Sequence, residues 1–102
     1  MTLIKTLIEE IEDEIDGAEE YAKCALKYRE EHPTLARLFY DMSTDEMRHV
    51  DLLHGEIVKI IEDYRKKHGE PPAPMKAVYE YMHAKHIEEA NEVRMLQNQY
   101  RA

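Results

Sequence analysis

Cysteine, glycine and proline are all scarce in this chain. A single cysteine, Cys24, rules out an intrachain disulfide and any cysteine-rich metal site. Nothing in the pattern gives Cys24 a role beyond filling space. Three glycines and four prolines in 102 residues leave few places to turn. Tryptophan is absent, phenylalanine occurs once, and no alternating run of β-branched residues bounded by turn residues marks a strand. No apolar run approaches the roughly 18 residues of a membrane span, so no membrane partner is expected. The acids Glu9, Glu10, Glu12, Asp13 and Glu14 follow too soon for a signal-peptide core. Cationic residues are in deficit, 14 against 22 acids, giving a formal charge of −8. That balance argues against nucleic acid and suits attraction of cations. The expectation is one cytoplasmic domain.

What is abundant is Glu, Lys, Ala and Leu, all good helix formers. The fold class expected is all-α. His32-Pro33 interrupts a long helical pattern, because proline cannot continue the ladder behind it but suits the first turn of the next helix. Lys66-Lys67-His68-Gly69-Glu70-Pro71-Pro72-Ala73-Pro74 carries the marks of a helix end: cations, then glycine, then prolines. Thr2 is expected to cap the first helix. The helices are therefore placed at about 3–31, 33–68 and 74–100.

The first helix puts Ile4, Leu7, Ile8, Ile11, Ile15, Ala18, Ala22 and Ala25 on one stripe. The second offers Leu35, Leu38, Phe39, Met42, Leu53, Ile57, Ile60 and Tyr64. The third is patchier, with Met75, Val78, Met82, Ala90, Val93 and Leu96 and with His86 among them. A short connection makes the first two antiparallel neighbours. Their broad apolar surface calls for a cover: helix 3 for part of it, a partner chain for the rest.

Three polar residues interrupt the stripes. Glu14 follows Leu7 and Ile11; Glu46 and His49 fall between Met42 and Leu53. A carboxylate turned toward a core is costly unless it is paired or binds metal. Their depths agree: from the His32-Pro33 turn, Glu14 lies about 27 Å away, His49 about 24 Å and Glu46 about 20 Å at the helical rise. Glu46 and His49, at i and i+3, point the same way. Two carboxylates and one imidazole make a hard-to-borderline metal site. Spacing alone is weak, since roughly one Glu-x-x-His arises by chance in such a composition, and Glu80-x-x-His83 is read as such an accident. Stripe placement, matching depth and opposite helices together carry the reading. The plain alternative is an internal salt-bridged cluster.

The motifs Glu14-Ile15-Asp16-Gly17-Ala18-Glu19-Glu20-Tyr21 and Asp45-Glu46-Met47-Arg48-His49 resemble those of the ferritin-like superfamily, including rubrerythrin and especially the encapsulated ferritins. The resemblance covers about residues 3–65. It implies a four-helix bundle that carries each motif twice. This chain has one copy of each, so the resemblance implies a half-bundle whose site is completed by a second chain in a homodimer or a larger homo-oligomer built from dimers. It implies a di-iron (Fe) ferroxidase serving iron handling or storage, in which Glu46 bridges the irons and Glu14 and His49 are terminal ligands. Tyr21 is implied as a hydrogen-bond partner of a ligand carboxylate, the alternative being plain packing. Asp45 is implied to hold His49 of the other chain. Asp13, Asp16 and Asp41 are either an iron approach path or ordinary exposed acids. An encapsulin shell or compartment is an implied partner, although Leu96-Gln97-Asn98-Gln99-Tyr100-Arg101-Ala102 shows no obvious targeting tail. Helix 3 carries no Glu-x6-Tyr, and there is no CxxC pair of a rubredoxin-like donor. Two other functions stay open: a peroxide-scavenging di-iron oxidase or peroxidase, and a metal-free helical interaction module. His83, His86 and Glu89 offer a second metal site or an oligomer contact, with ordinary polar roles preferred. His54 and His68 are expected at the surface.

Overall fold

The computed structural model describes residues 2–102, and among them there is helix and no strand. The elements are α1 (Thr2–Tyr28), α2 (Pro33–His68) and α3 (Ala73–Arg101). The all-α expectation holds, and α2 begins and ends where proline and glycine place it. The first helix is shorter than expected. It stops at Tyr28 because Pro33 drives His32 out of the helical region, to φ −136° and ψ 68°. Residues 29–31 form a turn, closed by the His32 amide, which donates to the Tyr28 carbonyl at 2.9 Å. Thr2 is the first helical residue rather than a cap; its carbonyl accepts the Thr6 hydroxyl at 3.1 Å.

The α2 terminus follows its sequence closely. Gly69 takes φ 79°, a backbone conformation that suits glycine, and its amide returns to the Arg65 carbonyl at 2.9 Å. Arg65, Lys66, Lys67 and His68 occupy the last turn, where cations complement the helix dipole.

Cross-helix contacts give the direction of each helix. Ser43 meets Ala18 and His49 meets Glu14, so α1 and α2 are antiparallel. His86 meets Glu12 and Arg29 meets Gln99, so α3 runs parallel to α1. The third helix packs mainly on α1 and reaches α2 through side chains, among them the Tyr40–Tyr100 and His54–His83 ring stacks. The particle is a rod, 56 × 19 × 17 Å.

The core joins Ile11, Ile15 and Ala18 of α1 to Met47, Val50 and Ile57 of α2 and to Ala90 and Val93 of α3. Ile15 and Ile57 are fully buried, each contributing about 1.5–3 kcal/mol by its removal from water. The α1 stripe is the expected one. On α2 the expectation is corrected: the buried line is Ala36, Tyr40, Ser43, Met47, Val50 and Ile57, while Leu35 is 40% and Leu38 53% exposed. The physical reason is that α2 is apolar on two adjacent faces and α3 covers one of them. Val78, expected in the α3 stripe, is also exposed. A buried polar link fixes the covered side: the Ser43 hydroxyl donates to the Ala18 carbonyl at 2.7 Å, and the Gln97 amide donates to the Ser43 oxygen at 2.9 Å. No helix among the described residues is long and apolar enough to cross a membrane.

Candidate metal centre

Antiparallel packing of α1 and α2 sets Glu14 opposite the Glu46–His49 turn. The ligating atoms of Glu14, Glu46 and His49 all lie within 4.8 Å of one another. The three residues that sequence position placed at one depth therefore do converge. They are half-buried, on the side of the α1–α2 seam that α3 leaves open, rather than in the core. His49 Nδ1 lies 3.4 Å from Glu14 Oε2, a distance at which the ring N–H donates to the carboxylate. The His49 side chain is 42% exposed and that of Glu14 24%.

The two carboxylates face each other, which favours the protonated form of Glu46. A hydrogen bond with Glu14 is the main cause that pushes the Glu46 carboxyl up to about 7; burial adds to it, as do the charges of Glu14 and Asp45, and His49 opposes. Facing carboxylates relieve their repulsion either by sharing a proton or by sharing a cation. Oxygen donors with one imidazole nitrogen fit a hard or borderline divalent ion. The donor set is thus able to hold a metal ion.

The other sequence candidates separate clearly. Tyr21 is half-buried and stacks on Phe39 at 6.1 Å, with no hydrogen bond to Glu14, Glu46 or His49 within the chain. Asp45 and Asp13 are exposed, and Asp41 takes the Arg37 guanidinium at 3.0 Å. Cys24 is half-buried and free. His83, His86 and Glu89 do not converge on one point. The His83 ring stacks on His54 of α2 at 4.6 Å and on Tyr79 at 5.6 Å. His54 is therefore half-buried in a ring stack and is not the plain surface residue expected. His68 is exposed as expected, beside Tyr64.

His86 is buried, and its Nε2 sits 2.7 Å from Glu12 Oε2. Glu12 escaped the sequence reading, although it stands four residues after Ile8 and three before Ile15, on the inner side of α1. With Asp16 and Glu89 it makes a second group of converging carboxylates. That group already holds a cation: Lys85 Nζ lies 3.1 Å from Glu12 Oε1 and 3.6 Å from Glu89 Oε1. The longer distance is an ion pair without a hydrogen bond, leaving Glu89 Oε1 buried without one. Burial first, and then Glu12, raises the Glu89 carboxyl above its ordinary value. Burial would raise Glu12 too, but hydrogen bonds from Lys85 and His86 outweigh it and lower the group. The cluster ties α3 to α1.

Set against family models, curated proteins and solved structures, the chain matches none of them.

Proposed function

We propose that two copies of the chain pair across the open α1–α2 face and that their six side chains form a two-metal centre oxidising Fe(II) to Fe(III). One observation carries this: two carboxylates and an imidazole, their ligating atoms within 4.8 Å, sit on a face that α3 leaves uncovered. A twofold contact repeats each ligand, giving four carboxylates and two imidazoles. The resemblance of the two motifs to ferritin-like proteins, the encapsulated ferritins above all, supports the same arrangement.

Each side chain has a definite task. By resemblance to the ferritin-like proteins, Glu46 of each chain would be the ligand shared by the two ions. Glu14 and His49 of each chain would together hold one ion, and the charge of Glu14 keeps the His49 ring aimed. By the same resemblance, Asp45 of one chain would accept a hydrogen bond from His49 of the other. Leu38, Met42 and Phe39 exclude water around the ligands once the faces meet. Iron is the substrate: dioxygen takes one electron from each of two Fe(II) ions and two protons, and leaves as hydrogen peroxide.

The test is oxygen uptake after anaerobic loading with Fe(II). His49→Ala removes one nitrogen donor per ion and slows uptake sharply. Glu46→Ala removes the span between the ions and slows it further. If both variants consume oxygen at the parent's rate, the site is misassigned. Turnover with added peroxide and a reductant, faster than with dioxygen, would instead make it a peroxide scavenger.

A further inference from the structure

Gly17 stands in the middle of α1, where glycine is a poor choice. A glycine inside a helix gives up backbone entropy and is less favourable than alanine. Its φ is not positive, so the backbone does not require it. Close helix packing does not require it either. A Cβ built at Gly17 would meet Glu46 Oε2 at 3.1 Å, Glu46 Cδ at 3.6 Å and Glu46 Cγ at 3.9 Å, and these are its three nearest neighbours. The space next to Gly17 is taken by one side chain, the carboxylate that faces Glu14. Gly55, the other helical glycine, is the contrast: a Cβ there meets nothing within 4 Å.

We propose, resting on the metal reading above, that Gly17 is a positioning residue of the centre: its missing side chain is the space in which the Glu46 carboxylate lies against α1. Gly17 sits one turn after Glu14, so the same stretch of α1 supplies one ligand and the room for the next. A methyl group at position 17 displaces Oε2 by a few tenths of an ångström, because 3.1 Å is shorter than an ordinary carbon–oxygen contact. The displacement carries Glu46 off the point where Glu14 and His49 aim.

The experiment uses Co(II), a spectroscopic probe that does not react with dioxygen as Fe(II) does, titrated into the full-length protein. Metal-free melting is measured on the same samples. The variants are Gly17→Ala, Gly55→Ala, Glu46→Ala and Gly17→Ala/Glu46→Ala. Gly17→Ala is expected to bind Co(II) about tenfold more weakly, the effect of disturbing a ligand's support. Gly55→Ala binds like the parent and melts higher. Without metal, Gly17→Ala raises the melting temperature more in the Glu46→Ala background than in the parent, because the clash is gone and only the helix gain remains. Parental Co(II) affinity in Gly17→Ala, or equal melting gains in both backgrounds, overturns the proposal. Parental affinity in Glu46→Ala marks a different failure: the metal reading itself falls, and the positioning role falls with it.

Discussion

His49 Nδ1 and Glu14 Oε2 lie 3.4 Å apart across the seam between α2 and α1, and the same Glu14 carboxylate faces Glu46 and pushes its carboxyl up to about 7. One carboxylate therefore serves two neighbours, an imidazole and a second carboxyl group. Local helix geometry alone gives no reason for that meeting. Glu46 and His49 share a face of α2 because they are three residues apart, and antiparallel packing brings α1 in at that level.

The raised Glu46 carboxyl predicts how the metal-free protein responds to pH. In the fold Glu46 titrates near 7, against an ordinary value of 4.5. A proton held more tightly by the folded state stabilises it, in full below 4.5, and that stabilisation fades as pH rises through about 7. Metal-free melting temperature should therefore fall over this window. Glu46→Gln carries a permanent donor toward Glu14 and should flatten the slope. Metal must displace the same proton, so Co(II) affinity should rise with pH over the same range. Calorimetry at a series of pH values checks the first, and a spectroscopic titration the second.

The ring stack between α2 and α3 predicts the opposite slope at a different place. Burial first, then the charges of His54 and His86, lower the His83 value below 6.5. The unfolded chain takes that proton more readily, so this contribution is present above 6.5 and is lost as pH falls below it. Once exchange rates are corrected for their intrinsic, base-catalysed dependence on pH, the amides in the first half of α3 should be less protected at about pH 5.5 than at about pH 7.5. His83→Phe keeps a ring without a charge and should remove the difference.

Pairing through the open face predicts a separation of stability from assembly. Leu38 is 53% exposed, so Leu38→Lys should change the stability of a single chain by no more than about 0.5 kcal/mol. The same change puts a cation into the proposed contact and should abolish the dimer. Sedimentation velocity reads this directly. A Leu38→Lys protein that still sediments as a dimer places the contact on another face.

The helices were legible because their punctuation is chemical: Pro33 and Gly69 act through fixed backbone preferences that no tertiary contact overrides. The three candidate ligands were legible because polar residues stood on apolar lines at one depth. The buried face of α2 was harder to read. Leu35 and Leu38 are larger and more apolar than Ala36 and Ser43, yet the small residues are the buried ones. Close approach of helices favours small side chains there, and the Ser43 hydroxyl finds its partner only in the folded chain. Glu12 was missed for a similar reason: its partners His86 and Lys85 are more than 70 residues away. His54 looked like a surface residue because the ring that covers it, His83, comes from another helix.

The most direct test of the two-metal reading is anomalous scattering at the iron edge from crystals grown anaerobically with Fe(II). The account predicts two iron peaks about 3.5–4 Å apart on either side of a twofold axis, each beside Glu14, Glu46 and His49. Iron elsewhere, or a dimer whose Glu46 and His49 face solvent with no iron between the chains, would contradict it.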